Sequence, residues 1–238
     1  MKGIILSGGS GTRLAPLTKV TSKQLLPIYN KPMIFYPLQT LLDAGIKDIL
    51  FIVAPERAGD YLRLLGSGKE FGAKFAFEIQ DKPEGLAQAF IIGENFIDDD
   101  NVCMILGDNI FEDDFSETIK NFQSGGQVFV KKVLDPERFG QVKFDEQMKA
   151  MQVAEKPKEK ISDYALTGLY VFDKQASVIA KNLKPSGRGE LEVTDIVDAY
   201  LQKNELKVQV VNGEWIDAGT FESLYKASEL ARKKSLNS

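Results

Sequence analysis

The chain has 238 residues, 43% hydrophobic and 27% charged, with a formal net charge of −4. It is long enough to bury a substantial core as one domain spanning 1–238. Its acidic balance, with no extended basic tract, argues against nucleic acid as a partner. The chain has no histidine, which removes histidine general bases, histidine triads and histidine zinc sites. Catalysis would then fall to Lys, Arg, Asp, Glu, backbone dipoles and a hard metal ion, a set suited to phosphoryl-type transfer.

The first predicted element is a strand over 2–7, an apolar run that feeds Gly8-Gly9-Ser10-Gly11-Thr12-Arg13-Leu14. A helix over 33–44 follows, with Pro32 placed at its start and Gly45 stopping it. Next come a strand over 48–54, a helix over 56–65, a strand over 73–80, a helix over 86–96 and a buried strand over 102–106. This alternation predicts an α/β fold, a mostly parallel Rossmann-like sheet flanked by helices. The second half reads as a mixed β lobe grafted on that core. It has strands over 127–134, 141–144 and 149–154, the last two joined as a hairpin through 145–148, and a further strand over 165–172. Helices over 174–182 and 191–203, a strand over 207–211 and a closing helix over 221–234 complete it. No run of about 18 apolar residues predicts a membrane span. The N-terminus lacks the layout of a signal peptide. The single Cys103 lies in an apolar run and forbids an intrachain disulfide. A cytoplasmic location is expected.

The glycine-rich loop is the main chemical signal. Glycine lets backbone N–H groups approach a ligand closely. From Met1 to Leu42 the chain carries Lys2, Arg13, Lys19, Lys23 and Lys31 and no carboxylate, an anion-attracting field on an acidic protein. The loop fits neither the Walker A pattern, since Thr12 follows Gly11, nor the dinucleotide fingerprint, since Leu14 stands where a small residue is needed. Arg13 offers a fork to phosphate and Lys23 a mobile point charge. Asp108 follows an apolar strand directly, and Asp217 repeats that arrangement within Trp215-Ile216-Asp217-Ala218-Gly219-Thr220. Two such acids could hold one Mg²⁺, which prefers carboxylates together with substrate phosphate oxygens. Gln80 ends a strand, and an amide that both donates and accepts can read a base edge.

Taken with Lys23-Gln24-Leu25-Leu26-Pro27-Ile28, Gly85-Leu86-Ala87-Gln88-Ala89-Phe90, Leu106-Gly107-Asp108-Asn109, Glu155-Lys156-Pro157-Lys158 and Arg188-Gly189-Glu190-Leu191-Glu192-Val193-Thr194-Asp195, the loop resembles the signature of the sugar nucleotidyltransferases over essentially the whole chain. The resemblance implies Mg²⁺-dependent transfer of a thymidylyl group from dTTP to glucose 1-phosphate, giving dTDP-glucose for nucleotide-sugar and polysaccharide biosynthesis. Uridylyl transfer from UTP, another sugar 1-phosphate, or a catalytically silent nucleotide-sugar binder remain as alternatives. The resemblance also assigns roles. Arg13 and Lys23 would be catalytic, and Leu6, Gly8, Gly9, Gly11, Thr12, Arg13, Gln80, Gly85 and Asp108 would bind nucleotide. Gly140, Glu155, Lys156, Gly168 and Tyr170 would bind sugar phosphate, and Asp108 and Asp217 would bind Mg²⁺. Residues 1–110 would then serve the nucleotide and 111–220 the sugar. Longer members of that family continue with C-terminal helices that help form a regulatory nucleotide site. This chain stops about twenty residues after Asp217, so no such site is expected, and a homo-oligomer is left open.

Overall fold

The computed structural model describes residues 1–9 and 11–237; Ser10, within the glycine loop, and Ser238 lie outside the described residues. The first half runs β1 (Lys2–Ser7), β2 (Pro27–Ile28), β3 (Lys31–Pro32), α1 (Phe35–Asp43), β4 (Asp48–Val53), α2 (Ala58–Leu65), β5 (Lys74–Ile79), α3 (Gln88–Ile92), α4 (Glu94–Ile97) and β6 (Val102–Leu106). The second half runs β7 (Asn109–Phe111), α5 (Ser116–Lys120), β8 (Gly126–Lys132), β9 (Gly140–Phe144), β10 (Ala150–Glu155), β11 (Tyr164–Phe172), α6 (Gln175–Asn182), α7 (Val193–Gln202), β12 (Leu206–Val210), β13 (Trp215–Asp217) and α8 (Phe221–Asn237).

Four parallel strands, in the order β6-β1-β4-β5, form one end of a nine-stranded sheet, with β5 at its edge. β1, β4 and β6 are apolar almost throughout because both faces are covered, whereas the edge strand β5 carries Lys74 and Glu78. Ile4, Leu6, Leu50, Ile52 and Met104 pack on one side with α3, α6 and α7 residues such as Phe90, Ala180 and Tyr200. Ile5, Ile49, Phe51 and Ile105 pack on the other with Leu38 and Leu41 of α1 and Tyr61 and Leu65 of α2. Side chains alternate between the two cores residue by residue, as a strand requires. No described helix is long and apolar enough to cross a membrane.

The expected β lobe extends the same sheet. β11 lies antiparallel beside β6 and β8, β12 joins β8 in parallel, and the β9–β10 hairpin continues the order past β11. Along one edge, residues 169–172 of β11 pair with β6, whereas Ala165 pairs with Gln141 of β9. Its register against β8 shifts between Leu166 and Tyr170, and Thr167 Oγ1 donates to the Phe129 carbonyl at 2.9 Å inside that shift. The sheet therefore opens at Thr167-Gly168, beyond the carboxyl end of β6.

Two local differences from the sequence reading have physical causes. The helix expected over 86–96 is divided into α3 and α4 at Gly93, where an added Cβ would sit 3.0 Å from both the Ala89 carbonyl and Ile4 Cδ1. α5 and the three-residue pair β7–β13 are too short to give a periodic signal. The hairpin turn over 145–148 forms as expected, with Met148 at φ +63°.

Away from the sheet opening, Asp173 is 7% exposed and accepts from Tyr200 Oη at 2.7 Å, Gly125 N at 2.8 Å and Gln175 N at 3.0 Å. Tyr200→Phe keeps the stack on Phe172 but removes one donor from this carboxylate. It is expected to lower unfolding free energy by about 1–2 kcal/mol. Urea unfolding should show an earlier midpoint at unchanged slope; an unmoved midpoint would contradict the role given to this bond.

Candidate active site

Parallel pairing of β1 with β6 brings the loop after Ser7 and the turn after Leu106 side by side, where open α/β sheets bind ligands. Close packing explains the glycines. A Cβ on Gly8 would collide with the Gln80 amide, and one on Gly107 would collide with Ser7 Oγ. Gly11 adopts φ +62°, and its carbonyl accepts from Thr18 Oγ1 at 3.0 Å. Gly9 is open on its Cβ side, and Thr12 stands exposed on the loop.

Beside this loop lies a cavity of about 220 Å³. Its walls include Leu6, Gly9, Gln80, Gly85 and Asp108, five of the residues the sequence assigned to the nucleotide, together with Lys23, assigned as catalytic. Gln80 is 4% exposed and donates to Gln88 Oε1 at 2.6 Å, which fixes its amide. Gly85, at φ +112°, lies where a Cβ would collide with the Leu191 backbone. Leu191 N donates to the Glu84 carbonyl at 2.7 Å and Ala87 N to the Leu191 carbonyl at 3.0 Å, so two backbone bonds stitch the turn at 84–87 to the loop before α7.

A second cavity of about 500 Å³ opens on the other side of Asp108. Gly140, Glu155, Lys156, Gly168 and Tyr170, all assigned to the sugar phosphate, line it together with Arg13 and Asp217. At Gly140, an added Cβ would stand 2.7 Å from Thr194 Cγ2 and 3.0 Å from Glu155 Oε2. Lys156 has φ +39°, unusual for a side chain with a Cβ, and precedes Pro157. Burial raises the Glu155 carboxyl above its ordinary value, while Lys156 and Arg188 pull it down and Glu192 pushes it up.

Asp108 joins the two cavities, since it lines both. Lys23 forms an ion pair with its Oδ2, and Asn109 Nδ2 donates to its Oδ1 at 3.0 Å. Burial alone would push Asp108 up, but the Lys23 charge and these hydrogen bonds hold its carboxyl below the ordinary value. Asp217 pairs in register with Asn109, and Ala218 N donates to the Asp108 carbonyl at 2.9 Å. Burial and the neighbouring Asp108 charge push Asp217 up to about 6, against the pull of Lys23, Arg13 and Arg138. Gly219 leaves room for Arg13, whose Nη2 would lie 2.7 Å from a Cβ there.

Two partly buried, mutually repelling carboxylates lining one cavity form a donor set that fits Mg²⁺. Mg²⁺ is commonly held by one or two carboxylates plus substrate phosphates. Among the described residues no group of three acidic, His or Cys side chains forms an all-protein cage.

Several residues of the site carry no single-residue sequence signal. Asn109 Oδ1 accepts from Gly168 N at 2.9 Å and from Trp215 Nε1 at 2.6 Å, so one amide ties β7 to β11 and β13. Arg188 donates to Glu155 at 3.1 Å and to both oxygens of the buried Glu192 at 2.9 Å, closing one wall of the larger cavity. Phe139 packs edge-on against Trp215, with ring centroids 5.2 Å apart. Arg188 and Phe139 stand in or beside segments that carry the family resemblance, but their partners are brought together only by the fold.

The comparisons with known proteins agree with this geometry. A family model described as nucleotidyl transferase matches residues 2–234. A glucose-1-phosphate thymidylyltransferase of Neisseria meningitidis is 52% identical over 98% of this chain and 83% of its own length. One of Mycobacterium tuberculosis is 47% identical over 98% and 82%. A crystal structure of a relative from Bacillus anthracis in complex with a sucrose superimposes with a TM-score of 0.92 at 47% identity, covering 98% of this chain and 95% of that one. UDP-glucose pyrophosphorylase, at 23% identity and a TM-score of 0.86, shares the fold. With its glycine loop, its paired strand-end acids and a match that runs almost from end to end, the chain belongs to the nucleotidyl transferase family.

Proposed function

We propose that the chain transfers a thymidylyl group from dTTP to glucose 1-phosphate, releasing pyrophosphate and dTDP-glucose. The observation that carries this reading is the placing of Asp108, with Lys23 on it and Asp217 beside it, between a glycine-loop cavity and a larger polar cavity. The names of the most similar relatives support the choice of base and sugar. The glycine loop at Gly8, Gly9 and Gly11, with Thr12 and Arg13, takes the triphosphate, while Leu6, Gln80 and Gly85 border the base. Gly140, Glu155, Gly168 and Tyr170 hold the sugar and Lys156 its phosphate. On this reading residues 1–110 serve the nucleotide and 111–220 the sugar, and the reaction runs in the cytoplasm.

In the transfer, an oxygen of the sugar phosphate forms a bond to the α-phosphorus, and the bond from that phosphorus to the bridging oxygen of the β-phosphate breaks. Pyrophosphate leaves with those electrons. Both reactants are phosphates, so no protein nucleophile is needed. Positioning and charge stabilisation supply the acceleration. Lys23 and Arg13 face the charge that grows around the α-phosphate, and Lys156 fixes the attacking group. Asp108 and Asp217 would hold Mg²⁺, which when bound neutralises charge on phosphate oxygens.

Pyrophosphate release measured over five nucleoside triphosphates and several sugar 1-phosphates should be fastest with dTTP and glucose 1-phosphate. Faster release with another pair would reassign the substrate. EDTA should abolish turnover and added Mg²⁺ restore it. Asp108→Asn and Asp217→Asn should each lose at least about 100-fold in kcat while keeping the wild-type circular dichroism, since metal coordination contributes several kcal/mol to such reactions. Full activity in EDTA would remove the metal assignment.

Lys23→Ala should lower kcat by ~10²–10³, the usual scale for removing one preorganised charge donor. Lys156→Ala should act instead mainly on KM for glucose 1-phosphate. Steady-state kinetics with each substrate varied in turn separates the two, and a Lys23→Ala enzyme with normal kcat would refute the role given to that ammonium.

A further inference from the structure

Behind the Lys23–Asp108 pair lies a set of polar side chains that the transfer chemistry does not use. Ser22 and Gln24 flank Lys23 and are 9% and 3% exposed, and Tyr61 of α2 is completely buried. Ser22 Oγ lies 2.8 Å from Tyr61 Oη. Gln24 Oε1 lies 2.8 Å from Ser22 Oγ and 3.2 Å from Tyr61 Oη, so the two hydroxyl protons serve three short contacts. The three side chains close a triangle. Burial pushes the Tyr61 phenol up to about 12, with the Ser22 and Ser7 hydroxyls opposing and the Asp108 charge adding to the rise. The phenol is therefore neutral and can donate to its neighbours.

Backbone bonds hold the C-terminal side of the element carrying Lys23, since Ile34 N donates to the Gln24 carbonyl at 2.8 Å and Met33 N to the Leu26 carbonyl at 2.9 Å, and the triangle adds side-chain support on its Ser22 side. Lys23 opens a three-residue 3-10 turn, Lys23–Leu25, closed by Leu25 N to the Ser22 carbonyl at 3.0 Å and Leu26 N to the Lys23 carbonyl at 3.1 Å. Ser22 occupies the N-cap position, where a serine hydroxyl ordinarily accepts from the turn's own N–H groups. Here it makes no such bond. It turns instead to Tyr61 and Gln24. Gln24 packs in addition against the strand end that carries Asp108, with its Cγ 2.9 Å from the position of a Cβ on Gly107. The triangle thus supports the Lys23 turn and abuts the end of β6 that precedes its partner.

We propose that Tyr61 is a positioning residue for nucleotidyl transfer: through Ser22 and Gln24 its hydroxyl fixes the turn that carries Lys23, and with it the ammonium beside Asp108. This rests on the transfer reading above, in which Lys23 faces the α-phosphate. Lys23 touches the substrate; Tyr61 acts only through it. A long, freely rotating lysine is a poor electrostatic catalyst unless its root is held, because charge stabilisation depends on preorganisation.

The test is a double-mutant cycle with a readout that needs no turnover. Tyr61→Phe keeps the ring in the core and removes only the hydroxyl. It should lower kcat about 10-fold with KM for dTTP little changed, the scale of losing an outer-shell orienting hydrogen bond. Ser22→Ala reaches the same triangle without touching the core and should do the same. In a Lys23→Ala background Tyr61→Phe should cause no further loss, because the two residues act as one unit. Tyr200→Phe removes a comparable buried phenol elsewhere and should leave kcat unchanged. Nitrogen-15 relaxation of the Lys23 ammonium should report a rigid group in the wild type and a mobile one in Tyr61→Phe and Ser22→Ala. Wild-type kcat in Tyr61→Phe, an equal loss in the Lys23→Ala background, or an equally rigid ammonium would each overturn the proposal. If the wild-type chain released no pyrophosphate, the transfer reading would fall, and the relaxation measurement would still decide whether Tyr61 holds Lys23.

Discussion

The ion pair between Lys23 and Asp108 is the interaction around which the site is built, and stability alone does not account for it. Both side chains are nearly out of solvent, at 10% and 14% exposure. Desolvating two charges commonly offsets or exceeds the attraction recovered between them, while removing one partner leaves the other stranded at a cost of about 3–5 kcal/mol. A chain could fill the same volume more stably with apolar groups. Retaining two opposite charges here makes sense if a more highly charged guest is to arrive. The ammonium then has a phosphate to face and the carboxylate a cation to share, without either being drawn from water at the moment of reaction. Asp217 describes the same situation from the other side. It is half-buried next to Asp108, forms no ion pair among the described residues, and its carboxyl is pushed up to about 6.

The sheet delivers these groups to one place by a simple device. Parallel β1 and β6 end together, which accounts for the glycine loop and Asp108. Antiparallel β11 then runs past the end of β6, leaves it at the register shift near Gly168 and continues beside β9. The gap left by that departure is where Asn109 sits. Its carbonyl oxygen accepts from Gly168 and from Trp215 while its amide nitrogen donates to Asp108. One neutral side chain thereby fixes a proposed metal ligand, a wall of the larger cavity and the short strand that ends in Asp217.

Much of this was legible in the sequence. Strands with apolar residues on both faces, a glycine loop followed by isolated cations, and acids placed directly after apolar steps are local patterns, and they located β1, β4, β6, Lys23, Asp108 and Asp217. The role of Asn109 was not legible, because its partners lie 59 and 106 residues away and an asparagine after an aspartate reads locally as a turn. Arg188 is a similar case, since its grip on Glu155 spans 33 residues. Tyr61 was read only as part of the helix over 56–65, and nothing local distinguishes a core tyrosine from one whose hydroxyl meets Ser22. Strands of two or three residues, such as β7 and β13, are defined by their pairing, and no periodicity can reveal them.

The backbone stitch between the turn at 84–87 and Leu191 bears on how such an enzyme could change its substrates. Leu86 lines both cavities, and Gly85 is pressed against the main chain of the segment that leads into α7. On the proposed reading, the wall beside the base and the wall beside the sugar are joined through this stitch. A substitution that enlarges one compartment moves the boundary of the other, so preference for a nucleobase and preference for a hexose are not independent traits here. Variants selected for a new sugar 1-phosphate should carry altered base discrimination as a by-product.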